Sequence, residues 1–425
     1  MSNPTTLPAW LSYLETLHPK AIAMGLERIR AVYDRLARSI ACPVVTVAGT
    51  NGKGSTCAFL ECMLRAGGYR VGLYTSPHLL RYNERVKIAG VEATDAELCE
   101  AFAMVEAARG ETLLTYFEFG TLASFWLFAR SDLDAVVLEV GLGGRLDAVN
   151  LVDADVAIVT TIAIDHVDYL GSTREDIGRE KAGVFRPKRV AICADPSPPA
   201  TLVDHARAID AKLLRLGIDF GYRAEATQWR YIGPGGPRYG LPFPALRGSY
   251  QLANAATAVT ALDSLRDRLP VGMGAIRDAL VSVELAGRFQ VLPGRPVRVL
   301  DVAHNAQAAR ELADNLAVMG FHPETWAVFG IMADKNVDGV IAPLRSRVDR
   351  WLVATLPPPR GASAAMLRAR LELAGVVPAA IRDFDDPAMA YRTACGAVSE
   401  TDRIIVFGSF LTVAAALAAG SCSRD

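Results

Sequence analysis

Between residues 44 and 66 the chain passes from a continuous apolar run, through a glycine-rich turn, to apolar residues at helical spacing. Val44–Ala48 is β-branched and apolar, the turn opens at Gly49 and carries Lys53, Gly54 and Ser55, and Phe59, Leu60, Met63 and Leu64 then recur on one helical face. This predicts strand, loop and helix, with Gly67-Gly68 ending the helix. Upstream, Trp10, Leu11, Tyr13, Leu14 and Leu17 make one apolar face and Ile29, Val32, Tyr33 and Leu36 a second, so residues 9–40 are read as helices. Downstream, apolar runs at Val71–Thr75, Ala135–Val140, Val156–Ile162 and Val190–Ala194 read as strands, the last three nearly continuous as in a sheet covered on both faces. Helices are predicted at 95–109 and 117–130. The alternation implies βαβ units and a mainly parallel, doubly wound sheet.

Residues 195–250 break this pattern. They are rich in Pro and Gly, with short alternating pieces such as TQWRYIG, and predict a β-rich insertion or edge region. Helix returns over 251–283, and GRFQVLPGRPVRV (287–299) reads as a linker. Alternation then restarts, with strands at Val297–Val302, Trp326–Ile331, Trp351–Leu356 and Ile404–Phe407 and helices at 306–318 and 337–346. The expectation is a P-loop domain over 1–287 and a smaller Rossmann-like α/β domain over 288–425. The longest apolar run, Ile404–Ala419, is interrupted by Gly408, Ser409 and Thr412, and reads as strand, loop and helix rather than a membrane span.

Composition narrows the function classes. A chain of 425 residues with 51% apolar content can fill sizeable cores, and a net charge of −1 gives no global field for nucleic acid or anionic lipid. Seven scattered cysteines without a C-x-x-C pair suit reduced thiols, and MSNPTTLPAW has neither the basic nor the apolar part of a signal peptide. A cytoplasmic protein is expected.

The strand–loop–helix stretch aims backbone N–H groups and a positive helix end at an anion. Lys53 adds a charge for terminal phosphates and Ser55 a hydroxyl where Mg²⁺ would sit. Gly54 separates Lys53 from Ser55, unlike the G-x-x-x-x-G-K-[ST] pattern, and a plain glycine-rich turn is the alternative. Ligands in open parallel sheets bind beyond the carboxyl ends of strands. Ser76, Glu139 and His166 fall there and, with Ser55, suit Mg²⁺ rather than zinc. Taken singly, Ser76 could start a turn, Glu139 could pair with Arg145, and His166 could lean on Asp165 or Asp168. Lys181, in REDIGREKAGVF, reads on its own as a solvated helix lysine. Asp301, with His304 and Asn305 beyond it, marks a second ligand edge or a helix cap.

The stretches AGTNGKGS (48–55), YTSPHL (74–79), RYNERV (81–86), LEVGLGGRLDAVN (138–150), IAIDHVDYLG (162–171), GREKAG (178–183) and DVAHN (301–305) resemble the folylpolyglutamate synthase/dihydrofolate synthase family, a branch of the ATP-dependent Mur ligases. The resemblance runs in order over almost the whole chain, and the Gly-Lys-Gly-Ser form of the loop belongs to that branch. It implies an ATP-dependent carboxylate–amine ligase that makes dihydrofolate from dihydropteroate and L-glutamate and extends folate glutamate tails through an acyl phosphate.

Carried onto this chain, the resemblance assigns Thr50, Asn51, Gly52, Lys53, Gly54 and Ser55, with Asn254, Arg288 and Asp301, to ATP. It assigns Ser55, Ser76, Glu139, His166 and a carbamylated Lys181 to two Mg²⁺ ions. Lys181, His166 and Lys53 become the catalytic set. The pterin falls to Ile22, Ala23, Met24, Thr115, Tyr116, Phe117, Glu118, Leu146, Asp147 and Ala148, and glutamate to His304 and Ser409. Ala23-Met24 stand where many bifunctional members carry Asp-Leu, which removes an acidic partner there. The expected partners are small molecules only, with neither nucleic acid nor membrane, and the chain is expected to be a monomer. The competing readings are a synthase acting only on polyglutamates, another Mur-type ligase, and a P-loop nucleotide switch. A peptidoglycan-nucleotide ligase would carry a further Rossmann domain before the glycine loop, where only about 43 residues stand.

Overall fold

The structure is a computed structural model and describes residues 4–20, 22–420 and 422. The chain forms two compact units. The first comprises the residues up to Ala163, Asp168–Ala245 and Leu252–Val283; the second comprises Ile164–Val167, Leu246–Gln251 and Glu284 onward.

The first unit is built on an eight-stranded sheet. Its strands are β1 (Val44–Ala48), β2 (Val71–Tyr74), β3 (Val86–Ile88), β4 (Val91–Glu92), β5 (Ala135–Glu139), β6 (Val156–Val159), β7 (Val190–Cys193) and β8 (Lys212–Arg215). They lie in the order β4-β3-β2-β5-β1-β6-β7-β8. β2, β5, β1, β6, β7 and β8 run parallel, while β3 and β4 form an antiparallel edge. β1, β2, β5 and β6 are buried along their whole length, which is why they read as unbroken apolar runs.

β1 sits centrally because the chain goes to β2 on one side and later to β6 on the other. The crevice at its carboxyl end is thus the topological switch point. Trp10, Phe102 and Phe119 pack together on the helical side of the core, with ring centroids 5.8–6.3 Å apart.

Residues 195–250 only partly match the expected insertion. They contain the helix Ala200–Ala208 and β8, which extend the parallel sheet, before the antiparallel sheet of β9 (Gly221–Ala224), β10 (Trp229–Ile232) and β11 (Arg238–Leu241).

The second unit carries β12 (Gln290–Leu292), β13 (Val297–Leu300), β14 (Thr325–Phe329), β15 (Arg350–Ala354), β16 (Ile381–Phe384) and β17 (Arg403–Phe407), ordered β12-β13-β17-β14-β15-β16. β13 to β17 are parallel, and β12 is an antiparallel edge. The stretch read as a linker is therefore in part a hairpin that begins this sheet. The helices Ala364–Leu373 and Pro387–Ala397 and strand β16 had weak apolar patterns and were not anticipated; β16 buries only its end residues. The core is packed by Phe329 stacked on Phe407 at 4.8 Å, with Trp351 against both.

Among the described residues no helix is long and apolar enough to cross a membrane. The expectation of reduced thiols fails at one pair, since Cys395 and Cys422 form a disulfide with Cα atoms 5.1 Å apart. Cys42, Cys57, Cys62, Cys99 and Cys193 are free.

Candidate active site

The loop after β1 is held from both sides. Thr50 N–H donates to the Thr161 carbonyl (2.6 Å), and Asn51 N–H to the Thr161 hydroxyl (3.2 Å). The Thr160 hydroxyl donates to the Asn51 carbonyl at 2.6 Å. Gly49 has φ +145° and Gly52 φ +88°, and a Cβ on Gly52 would lie 2.6 Å from Asn254 Oδ1. Asn254 is thereby placed beside the loop. Lys53 Nζ turns back to the carbonyls of Gly49 (3.1 Å) and Thr50 (3.3 Å). Gly54 and Ser55 are buried in the first turn of helix Lys53–Ala66, which starts at the loop and directs its N-terminal N–H groups there.

The neighbouring strands complete this edge. Glu139, 4% exposed, ends β5, and the Ser76 N–H donates to its Oε2 at 3.2 Å. Arg145 pairs with Glu180 instead, so the simple Glu139–Arg145 ion pair does not form. Lys181 is 3% exposed and donates from Nζ to the Gly49 carbonyl at 2.9 Å. It is not a solvated helix lysine; the helix Arg174–Ala182 buries it against the loop. Ser55, Ser76, Glu139 and Lys181 thus lie around one loop.

Among the described residues no group of three His, Cys, Asp or Glu side chains converges on a metal position. The expected set has only Glu139 and His166 of those types, with hydroxyls and a lysine making up the rest. The carboxylate and hydroxyl oxygens beside the loop fit a hard divalent cation.

The stretches assigned to the pterin also meet within the first unit. Thr115 and Glu118 form a capping box at the start of helix Tyr116–Arg130. Buried Glu118 pairs with Arg28 at 2.8 Å, and Arg28 in turn holds the Ala23 carbonyl. The acid in this region is therefore Glu118, reached through Arg28, rather than a side chain at position 23. Phe117 lies against Gly141, and Met24 approaches Gly143, where a Cβ would come within 3.8 Å of the methionine methyl. Asp147 accepts the N–H groups of Leu142 (2.8 Å) and Val149 (3.0 Å) and caps the turn Ala148–Leu151. Burial pushes the Asp147 carboxyl up to about 6, against the pull of those N–H groups and of the Lys53 charge. Ile22, Tyr116 and Leu146 are half-buried.

The second unit gathers a separate group at the carboxyl ends of β13 and β17. Asp301 is buried and accepts the N–H groups of Phe289 and Ala303, both at 2.8 Å. Burial raises its carboxyl to about 6, opposed chiefly by the Arg288 charge. The Arg288 guanidinium lies 5.1 Å from the centre of the Phe410 ring, and His304 lies 6.4 Å from the same ring. Ser409 caps helix Phe410–Ala418. The cap of helix Ala306–Ala317 is Asn305, which leaves Asp301 to other work.

His166 groups with this unit and has φ +52°, an unusual backbone state for a side chain of its size. Its N–H donates to Asp165 Oδ1 at 2.8 Å. Asp165 also pairs with Lys335 (2.5 Å) and approaches His304 Nε2 (3.5 Å). Burial would raise its carboxyl, but the His304 hydrogen bond and the Lys335 charge hold it well below the usual carboxylate range. Lys335 and Arg28 are not among the site residues expected from sequence, whereas Asp165 is, as a partner for His166. IMADKN carries no motif that marks Lys335, and the ion-pair partners of Lys335 and Arg28, Asp165 and Glu118, lie far away along the chain.

Glu311, on helix Ala306–Ala317, is pushed up to about 7, first by burial and then by the charges of Asp301 and Asp314, against a 3.1 Å hydrogen bond from Gln307. A carboxyl raised on folding favours the protonated native state. The second unit should therefore lose stability as pH rises from about 4.3, the unfolded value, to about 7. Glu311→Gln should flatten the fall in Tm between about pH 5 and 8, leaving the part due to Asp301. An unchanged slope would remove Glu311 as its source.

The comparisons with known proteins bear on the family and the fold. Residues 47–262 match the family model of the Mur ligase middle domain, and residues 287–410 that of the Mur ligase glutamate ligase domain. Fold and site thus define a Mur-type, ATP-dependent ligase. The chain is 46% identical to the dihydrofolate synthase/folylpolyglutamate synthase of Escherichia coli strain K12 over 409 residues, 96% of this chain and 94% of that one. It superposes on Escherichia coli FolC in complex with DHPP and ADP with a TM-score of 0.93 at 45% identity, covering 98% of both chains. A bifunctional folylpolyglutamate synthase/dihydrofolate synthase solved with Mn, AMPPNP and L-glutamate bound gives 0.90 at 46% identity, covering 98% of this chain and 99% of that one. The chain belongs to the dihydrofolate synthase/folylpolyglutamate synthase family.

Proposed function

We propose that this ligase joins L-glutamate to dihydropteroate and to the glutamate tails of folates, using ATP in both reactions. The observation that carries the reading is the convergence of Lys53, Ser55, Glu139 and buried Lys181 on one glycine loop, in a unit that also gathers Ala23, Thr115 and Glu118. A carboxylate is a poor electrophile and must be activated. Thr50 to Ser55 hold the ATP phosphates, with Asn254 alongside, while Lys53 offsets the repulsion between the γ-phosphate and the acceptor carboxylate. Transfer gives an acyl phosphate, the glutamate amine attacks its carbonyl, and phosphate leaves from the tetrahedral intermediate.

Two magnesium ions, held by Ser55, Ser76, Glu139, His166 and a carbamylated Lys181, neutralise phosphate charge when bound. Carbamylation turns an ammonium into an anionic oxygen ligand, and its remaining N–H can still serve the Gly49 carbonyl. The first domain, 1–287, takes ATP and the pterin. The second, 288–425, supplies Arg288 and Asp301 to the nucleotide and His304 and Ser409 to glutamate. The enzyme works as a cytoplasmic monomer, without nucleic acid or membrane.

The test is phosphate release with ATP alone, then with glutamate plus dihydropteroate, and with glutamate plus a reduced folate monoglutamate. Release that ignores the acceptor pair would favour a nucleotide switch and sink the ligase. Release only with the folate would leave a synthase restricted to polyglutamates. Glu139→Ala should raise the magnesium concentration for half-maximal rate by about tenfold or more. An unchanged magnesium titration would take Glu139 out of the site.

A further inference from the structure

Arg85 is 9% exposed, and among the described residues no carboxylate lies within ion-pairing distance of it. Buried cations are ordinarily paired. This one instead has a neutral setting. Its Nε–H donates to His78 Nδ1 at 2.8 Å, and its guanidinium lies 5.1 Å from the Tyr82 ring centre and 5.5 Å from that of Tyr116. His78 accepts at Nδ1, so that ring nitrogen carries no proton and offers Arg85 a lone pair rather than a charge. Tyr82 is fully buried, and its hydroxyl has no hydrogen-bond partner. Glu84, adjacent in sequence, is occupied with the N–H groups of Leu79, Leu80 and Arg81.

The position matters as much as the missing partner. On one side the Arg85 carbonyl accepts the Thr75 N–H at 2.9 Å, next to Ser76 and so to Glu139. On the other, Tyr116 opens the helix whose cap, Thr115 with Glu118, leads through Arg28 to Ala23. Arg85 is thus tied both to the phosphate edge and to the stretches assigned to the pterin.

We propose that Arg85, fixed by His78, anchors a carboxylate of the pterin-bearing substrate. The inference rests on the ligase reading above. A planar guanidinium braced at Nε and laid on aromatic faces presents its donors in the geometry a carboxylate takes. The carboxylate has two possible sources: the reacting one, common to dihydropteroate and folates, or the α-carboxylate of a glutamate tail, present only on folates.

The experiment uses the full chain and the variants Arg85→Gln, Arg85→Lys and His78→Ala. KM is measured for dihydropteroate and for a reduced folate monoglutamate, alongside ADP affinity and Tm. Arg85→Gln should raise KM roughly 10- to 100-fold with ADP affinity unchanged, Arg85→Lys should recover part of the loss, and His78→Ala should raise the same KM roughly threefold or more. A rise for both substrates identifies the reacting carboxylate; a rise for the folate alone identifies the tail. Unchanged KM for both, or a loss of ADP binding that parallels the KM change, would overturn the proposal and leave Arg85 a packing residue. If the unaltered chain shows no acceptor-dependent phosphate release, the ligase reading fails instead, so the two failures are distinguishable.

Discussion

Lys181→Ala is expected to abolish turnover, lowering kcat by about a thousandfold or more while ADP still binds. The side chain is buried against the Gly49 carbonyl, so its removal also takes a donor from the phosphate loop. Two roles for Lys181 give different outcomes in a second variant. If it acts as a cation, Lys181→Arg keeps the charge and a donor, and should retain a substantial part of the activity. If it acts as a carbamate, Arg cannot be carbamylated, and the variant should be as inactive as the alanine. A short carboxylic acid supplied in solution should then partly restore Lys181→Ala by replacing the lost oxygen ligand. Labelled bicarbonate should give a carbamate signal in the unaltered protein only. Full activity in Lys181→Ala would exclude both roles.

Gly49→Ala should cost the enzyme its nucleotide site. A Cβ at this position would lie 1.7 Å from the Thr160 hydroxyl oxygen, and φ of +145° is one that L side chains rarely adopt. The Thr160 hydroxyl is not free to move, since it donates to the Asn51 carbonyl. The loop must therefore shift, and the N–H groups aimed at phosphate shift with it. ADP affinity should fall by about a hundredfold or more, with a stability loss of roughly 1–3 kcal/mol from backbone strain alone. Adding Thr160→Ala removes the hydroxyl but leaves the φ, so the double variant should regain stability only in part. Isothermal titration with ADP and thermal melts read both effects. Unaltered ADP binding in Gly49→Ala would mean that the loop accommodates the methyl group.

Much of the first unit was legible because its chemistry is local. The strand–loop–helix at 44–66 is set by consecutive residues, and the parallel strands announce themselves by burial on both faces. The second sheet was legible where strands are wholly or almost wholly buried, as in β17 and β14, and not at β16, where only Ile381 and Phe384 turn inward. β12 hid inside a Pro- and Gly-rich stretch because an edge strand needs little apolar sequence. The resemblance named site residues that spacing could not, Lys181 above all; read alone, its helix looked solvated.

The sequence by itself determined the order of the buried strands and their helices in most of the first unit, the phosphate loop and the family, since these rest on short-range periodicity and contiguous motifs. The tertiary structure decided which distant residues share an edge. Strand order sets β5 beside β1 and β6 on its other flank, which brings Glu139 and Thr160 to a loop more than a hundred residues apart in sequence from the latter. It also decided that Lys181 is buried, that Asp165 is shared among Lys335, His304 and His166, and that Arg85 has no carboxylate partner among the described residues. Charge pairing and desolvation depend on through-space neighbours, and the linear order of residues does not specify those until the sheets are assembled.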